Sequence, residues 1–279
     1  LGPAGNIFMG MTESPVLIKN YLPTMNRSEI FLVMVSGMGT IAGSVMGTYI
    51  GMLGGTDPAA KVLFATHLLS ASVMAVPGSI VLAKMLCPQT EEATDHVAIS
   101  GKEKENSNIL DAISSGTVTG VKLMTNIAAM LLVFISLVAL ANYITEGVIG
   151  RYTGLNDWIV KITDGKAQGL TFQFILGVIT SPFMWLIGVP SQDIMLVGSL
   201  LGQKTILNEF VAYFQLQQWK DAGLFMYEKS ILMSTYILCG FANISSIGIL
   251  LGGLGVLAPE KRGLISRIGL PALNGGGPG

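Results

Sequence analysis

Charged residues divide the chain into long uncharged runs. Residues 30–56, between Glu29 and Asp57, are long enough to cross about 30 Å of hydrocarbon. Residues 62–83, bounded by Lys61 and Lys84, predict a second crossing with a kink at Pro77-Gly78. Residues 123–145 predict a third and residues 230–259 a fourth, while residues 264–273 begin a fifth.

Several runs are interrupted. Ser36, Gly37, Gly39, Thr40, Gly43 and Ser44 place small polar residues inside the first crossing, and residues 240–248 (Gly-Phe-Ala-Asn-Ile-Ser-Ser-Ile-Gly) do so at the middle of the fourth. Residues 167–192 are uncharged but carry Ser181-Pro182 and Gly188-Val189-Pro190-Ser191, followed by an apolar run to Gln203 and by Asn208-Glu209. Half-length apolar pieces joined at Gly-Pro-Ser predict a re-entrant hairpin, whose backbone is tolerated only where protein or water satisfies it. The first residues read as the second arm of another. The order hairpin then broken helix therefore occurs twice. Small residues also serve helix packing, but repeated pairs of interrupted segments point to a binding site at a repeat interface. The expected fold is all-α: a polytopic membrane protein with re-entrant helical hairpins and broken transmembrane helices in a two-fold repeat. It divides into residues 1–123, a scaffold-type helix over 124–145, and residues 146–279.

Composition agrees with a lipid setting. Hydrophobic residues make up 51% of the chain and charged residues 12%, against about 25% charged in soluble domains. Net charge is −1, which gives nucleic acid no electrostatic footprint. Cys87 and Cys239 are far apart and fit no metal or redox spacing, and His67 and His96 are unpaired in sequence. The charged connector over 87–107 predicts a solvated loop, and residues 109–121 predict an amphipathic interfacial helix leading into the third crossing. The slight excess of Lys and Arg on the side of that loop places it in the cytoplasm. Both ends look cut, and residues 274–279 (Asn-Gly-Gly-Gly-Pro-Gly) read as a flexible tail.

Two carboxylates stand in the interruptions, Glu13 and Glu209. An acidic group at membrane depth is costly and normally faces a partner, an ion or a water-filled cavity, so a polar solute site is the first expectation.

Residues 5–13, 40–44, 208–212 and 240–248, with 188–191 as a fifth stretch, resemble the concentrative nucleoside transporter family. The likeness runs to about Pro271 and corresponds to the family's C-terminal portion. It implies symport of nucleosides with sodium across a bacterial inner membrane by alternating access, no enzymatic activity, membrane lipid as surroundings and a homotrimer. It also implies roles. Asn6 and Thr40 would give side-chain oxygens to sodium, and Met9 and Ile41 their backbone carbonyls. Met11, Thr12 and Glu13 would face the base, with Val45 packed against it. Glu209, Asn243 and Ser246 would bind ribose hydroxyls, with Phe241 lining the pocket. Hard oxygen ligands suit such a cation, and a carboxylate with an amide suits vicinal hydroxyls.

One residue departs from the family pattern: Met11 stands where Gln is common. Met offers shape and polarizability but no hydrogen-bond pair, so altered base selectivity, relaxed or shifted towards purines, is expected. A carboxyl in an apolar surround can also take up a proton, which keeps a proton-coupled importer as the alternative. A non-transporting membrane gate protein sharing the hairpin architecture is the third reading.

Overall fold

A computed structural model describes residues 2–91, 108–163, 165 and 167–276. Its regular elements among these residues are helical. They form two compact units, one of Leu1–Val97 with Gln173–Gly279 and one of Ala98–Phe172.

The first unit opens with two single turns, α1 (Gly2–Gly5) and α2 (Ser14–Leu17), on either side of a loop carrying Asn6, Met9 and Thr12. α3 (Arg27–Gly39) starts at a capping box. Asn26 Oδ1 accepts from the Glu29 N–H at 3.0 Å, and the Glu29 carboxylate accepts from the Asn26 N–H at 2.9 Å. α3 ends at Thr40, whose backbone is extended (φ −113°, ψ 166°), and α4 (Gly43–Gly54) begins after Ala42 (φ −67°, ψ 136°). The first break is thus shorter than the run of small residues suggested. Ser36 stays within the helix, and its hydroxyl donates back to the Val33 carbonyl at 3.2 Å. Asp57 and Pro58 then start α5 (Pro58–Leu86), which holds Pro77 within the helix.

The 87–107 connector falls mainly on residues 92–107, which lie outside the described residues, as does His96. In the second unit α6 (Ile109–Asn142) is one 34-residue helix, followed without interruption by a π-helix over Tyr143–Gly150 and by α7 (Arg151–Thr153). No boundary separates the expected interfacial segment 109–121 from the crossing after it, because nothing at residues 121–123 caps or breaks a helix. α8 (Leu155–Ile162) follows Gly154, and Asn156 ties the unit together by donating to Glu146 O and accepting from the Leu170 N–H, each at 3.0 Å.

Back in the first unit, α9 (Phe172–Ile187) stops in a Schellman motif at Gly188 (φ +89°). The Val189 N–H reaches Met184 O at 3.0 Å and the Gly188 N–H reaches Trp185 O at 3.1 Å, and Pro190 forbids continuation. α10 (Ile194–Ile206) runs back alongside, joined to α9 by the Ser181 hydroxyl on Met195 Sδ and by Met184, Val189, Val197 and Leu201. This is a helical hairpin, as the Gly-Val-Pro-Ser turn predicts. Asn208 caps α11 (Glu209–Asp221). The fourth crossing is split into α12 (Glu228–Leu238) and α13 (Ile244–Leu257), with Asn243 capping the second half. α14 (Arg262–Gly276) closes the unit. Its last turn contains Asn274–Gly276, and Gly275 and Gly276 are buried against Val35 and Met38 of α3, so these residues are not part of a flexible tail.

Besides the small cluster between α9 and α10, two larger apolar clusters form the interior among the described residues. One joins α3, α13 and α14 through Ile30, Met34, Leu250, Leu254 and Ile265, and the other joins α4, α5, α11 and α12 through Tyr49, Leu68, Leu216 and Leu238. Phe241, between α12 and α13, packs on both. Outward, α5 and α9 expose Val62, Val73, Met74, Met85, Phe183, Trp185 and Leu186. The stretches Arg27–Gly54 and Pro58–Leu86 are long and apolar enough to cross a membrane.

Candidate functional site

The two backbone breaks touch. Gly240 has φ +102°, and a Cβ built there would lie 2.7 Å from Gly39 O and 2.9 Å from Met38 O. The unwound end of α12 therefore rests directly on the last turn of α3. Only glycine allows both this approach and this conformation.

On one side of the crossing a buried polar set converges. Glu209, in the first turn of α11, accepts from Asn243 Nδ2 at 2.9 Å on one oxygen and from the Tyr49 hydroxyl at 3.4 Å on the other. Asn243 accepts in turn from the Ser246 N–H at 2.9 Å, and the Ser246 hydroxyl donates to Phe241 O. Residues distant in sequence thus meet. Glu209, Asn243 and Ser246 are all buried, and each oxygen of the carboxylate has a donor. Opposite them Tyr49 stacks on Tyr213 with centroids 4.2 Å apart, and Tyr213 donates to Thr235 O at 2.8 Å.

Sequence reasoning missed Tyr49, Tyr213 and Lys204. Tyr49 lies one turn beyond Val45 on the same face of α4, which was the available signal. Lys204 is a lone cation inside an apolar run, and it is fully buried. Its ammonium donates to Ile237 O at 3.0 Å and Cys239 O at 3.2 Å, where α12 ends. Replacing Tyr49 by Phe keeps the ring stacking and removes one long hydrogen bond to Glu209. Such a bond is worth about 0.5–1 kcal/mol, so Tyr49→Phe is expected to weaken binding of a solute held by Glu209 roughly threefold, as read by equilibrium binding.

A second set lies at the break between α3 and α4. Asn6 is buried, and its Nδ2 donates to Ser36 Oγ at 3.0 Å, while the Thr40 hydroxyl donates to Ser36 O at 2.9 Å. Ser36, also missed, joins the two. Asn6 Oδ1 is buried with no hydrogen-bond partner among the described residues. An unsatisfied buried acceptor is costly and calls for a cation or a donor. Ile41 is buried in the extended segment between α3 and α4, and half-buried Met9 lies in the loop between α1 and α2, so the carbonyls of both stand outside regular helix. These oxygen donors fit a hard cation. The loop is pinned by the Gly43 N–H on Phe8 O at 3.1 Å and by the Ser72 hydroxyl on Ile7 O at 3.4 Å. No cluster of three His, Cys, Asp or Glu able to hold a metal occurs among the described residues.

The third set is looser. Glu13 is exposed and accepts from the Thr12 hydroxyl at 3.1 Å, and Thr12 leans on Gly253 of α13. Val45 is half-buried beside the Tyr49 cluster. Met11 is placed differently from the sequence reading. It is 7% exposed and packs in the interior of the α3–α13–α14 cluster against Gly37 and Leu250. An apolar thioether is held there as an ordinary core side chain.

Comparison with known proteins matches this arrangement to one group. The sequence profile described as "Na+ dependent nucleoside transporter C-terminus" covers residues 67–277. The chain is 38% identical over 279 residues to an uncharacterized transporter of Haemophilus influenzae, covering 99% of this chain and 62% of that protein. It is 39% identical over 287 residues to sodium/nucleoside cotransporter 1 of Sus scrofa, covering 98% of this chain and 41% of that protein. It is similar to CNTnw in an inward-facing substrate-bound state, with TM-score 0.82, 36% identity and coverage of 99% of this chain and 60% of that one. A double variant of CNTnw in an outward-facing state gives TM-score 0.84 at 36% identity, covering 99% of this chain and 61% of that one. The chain spans about three-fifths of the length of the Haemophilus relative.

Proposed function

Because the chain belongs to the concentrative nucleoside transporter family, as its C-terminal portion, we propose that it forms the binding region of a sodium-coupled nucleoside importer of a bacterial inner membrane. Its relatives are transporters rather than enzymes, and transporter relatives imply an integral membrane protein. The importer works by alternating access as a homotrimer, with both hairpin and broken-helix units moving together.

The observation that carries this reading is the buried Glu209–Asn243 pair at the crossing of two helix breaks. A ribose offers vicinal hydroxyls. Glu209 accepts from them, and Asn243 and Ser246 complete the polar surround with Phe241 as the apolar wall. Thr12 and Glu13, close to α13, face the base, with Val45 beside it. Met11 shapes this region from the interior. Base selectivity is accordingly set by Thr12 and Glu13 rather than by a paired amide at position 11.

Sodium is the second substrate. Asn6 Oδ1 and the Thr40 hydroxyl would hold it with carbonyls of Met9 and Ile41, and the free acceptor on Asn6 favours this over a proton. Sodium orders residues 40–42, which press through Gly39 on Gly240 and so on the ribose set. By linkage, sodium and nucleoside raise each other's affinity by the same factor. Asn6→Ala removes the free acceptor and should raise the sodium concentration for half-maximal uptake roughly tenfold, one charge-assisted contact being worth about 1.5 kcal/mol. The maximal rate at saturating sodium should change little.

Uptake of labelled uridine and adenosine into proteoliposomes tests the proposal. Replacing sodium by choline abolishes uptake if the reading holds. Uptake that survives in choline but collapses with the pH gradient identifies the proton-coupled alternative. Absence of any nucleoside uptake leaves the non-transporting gate protein.

A further inference from the structure

The α10–α11 corner grips the second break from both ends. Glu209, at the start of α11, holds the amide of Asn243, which caps α13. Five residues earlier, Lys204 near the end of α10 holds the carbonyls of Ile237 and Cys239, which close α12. The intervening residues carry Gly240 and Phe241. Nothing in the ribose reading requires Lys204, since its two bonds go to backbone oxygens.

A fully buried ammonium needs a reason. The last carbonyls of a helix lack intrahelical partners and form the negative end of its dipole. At an ordinary helix end water fills that role. At a buried break a cation must do it, and Lys supplies a compact point charge on a long flexible stem. The alternative for these carbonyls is to continue α12 through Gly240, which would rotate Phe241 and Asn243 away from Glu209. Lys204 therefore favours the broken form over a continuous helix.

We propose that Lys204 is a positioning residue for the ribose site: it fixes the unwound segment 239–243 so that Asn243 and Phe241 face Glu209, and it touches neither solute. This rests on the nucleoside reading above, and it makes Lys204 a determinant of how strictly the sugar is read. Supporting groups of this kind act by holding others in place, and losing them commonly costs a factor of ten or more.

The test uses the protein in proteoliposomes and compares wild type with Lys204→Met, which keeps the stem length and removes the charge, and Lys204→Gln, which keeps two N–H donors. Uptake of uridine and 3′-deoxyuridine is measured with protein amount, alongside maleimide labelling of Cys239 read by peptide mass spectrometry. Cys239 is 8% exposed and adjoins the clamp. Expected for Lys204→Met are a KM for uridine raised roughly tenfold or more, discrimination against 3′-deoxyuridine reduced by a similar factor, and faster labelling of Cys239. Lys204→Gln should fall between Lys204→Met and wild type. Selectivity and labelling equal to wild type in either folded variant would overturn the proposal. So would loss of Vmax alone, or failure of both variants to assemble, since these assign Lys204 to folding only. The labelling does not depend on nucleoside as substrate. If wild type transports no nucleoside but the labelling still responds, the substrate assignment fails while the clamp stands.

Discussion

Glu209→Gln is expected to raise the nucleoside concentration for half-maximal uptake about 100-fold while leaving protein level in the membrane unchanged. The magnitude follows from hydrogen-bond chemistry. Bonds to a charged acceptor are worth about 1.5–3 kcal/mol and neutral ones about 0.5–1.5 kcal/mol, so two ribose hydroxyls each lose roughly 1.5 kcal/mol when the charge is removed. Together this is about 3 kcal/mol, or two decades in affinity. The fold should survive because Gln retains one carbonyl oxygen for Asn243 Nδ2, and the Tyr49 hydroxyl can turn to accept from the new amide. Initial rates over a uridine series, normalised to protein, check the outcome. A KM equal to wild type would remove Glu209 from the sugar site.

Gly240→Ala should be strongly damaging. Its Cβ meets the Gly39 and Met38 backbone oxygens at 2.7 and 2.9 Å, and φ is +102°. Strain at a left-handed non-glycine position costs about 1–3 kcal/mol, and overpacking adds about 1–3 kcal/mol. Neither neighbour is the tip of a flexible side chain, so relief requires the two breaks to separate. The apparent melting temperature should fall by roughly 5–10 °C, and both sodium and nucleoside affinity should drop together. Gly248→Ala on α13, where no atom lies within 4 Å of the new methyl, is the matched control and should be mild. Equal melting temperatures for the two variants would mean that the breaks do not bear on each other.

Much of this was legible from local chemistry. Asn26, Asp57, Asn208 and Asn243 each announce a helix start, because a short acceptor side chain satisfies a free backbone N–H. Gly188 followed by Pro190 marks the hairpin turn for the same local reason. The cost of a lone buried carboxylate called for a partner to Glu209, and in the structure that partner is the Asn243 amide. What stayed hidden is tertiary. Lys204 reads as a stray charge until the end of α12 is brought to it, and Ser36 reads as packing until Asn6 and Thr40 both reach it. Met11 was expected at the base from the family resemblance alone, whereas the loop turns it inward against Gly37. Pro182 suggested an interruption but sits within α9, and Pro77, read as a kink, lies inside α5. Neighbouring groups can satisfy the freed carbonyls in such helices.

On the proposed reading, the crossing of the two breaks is a sugar site read through hydroxyls. Equilibrium binding of uridine and of 2′,3′-dideoxyuridine to the purified protein in sodium tests it most directly. Uridine should bind at least about 1,000-fold more tightly, since a site built for hydroxyls leaves its own buried groups unpaired without them, and in Glu209→Gln this preference should fall about 100-fold. Equal affinity for the two nucleosides in the wild-type protein would contradict it.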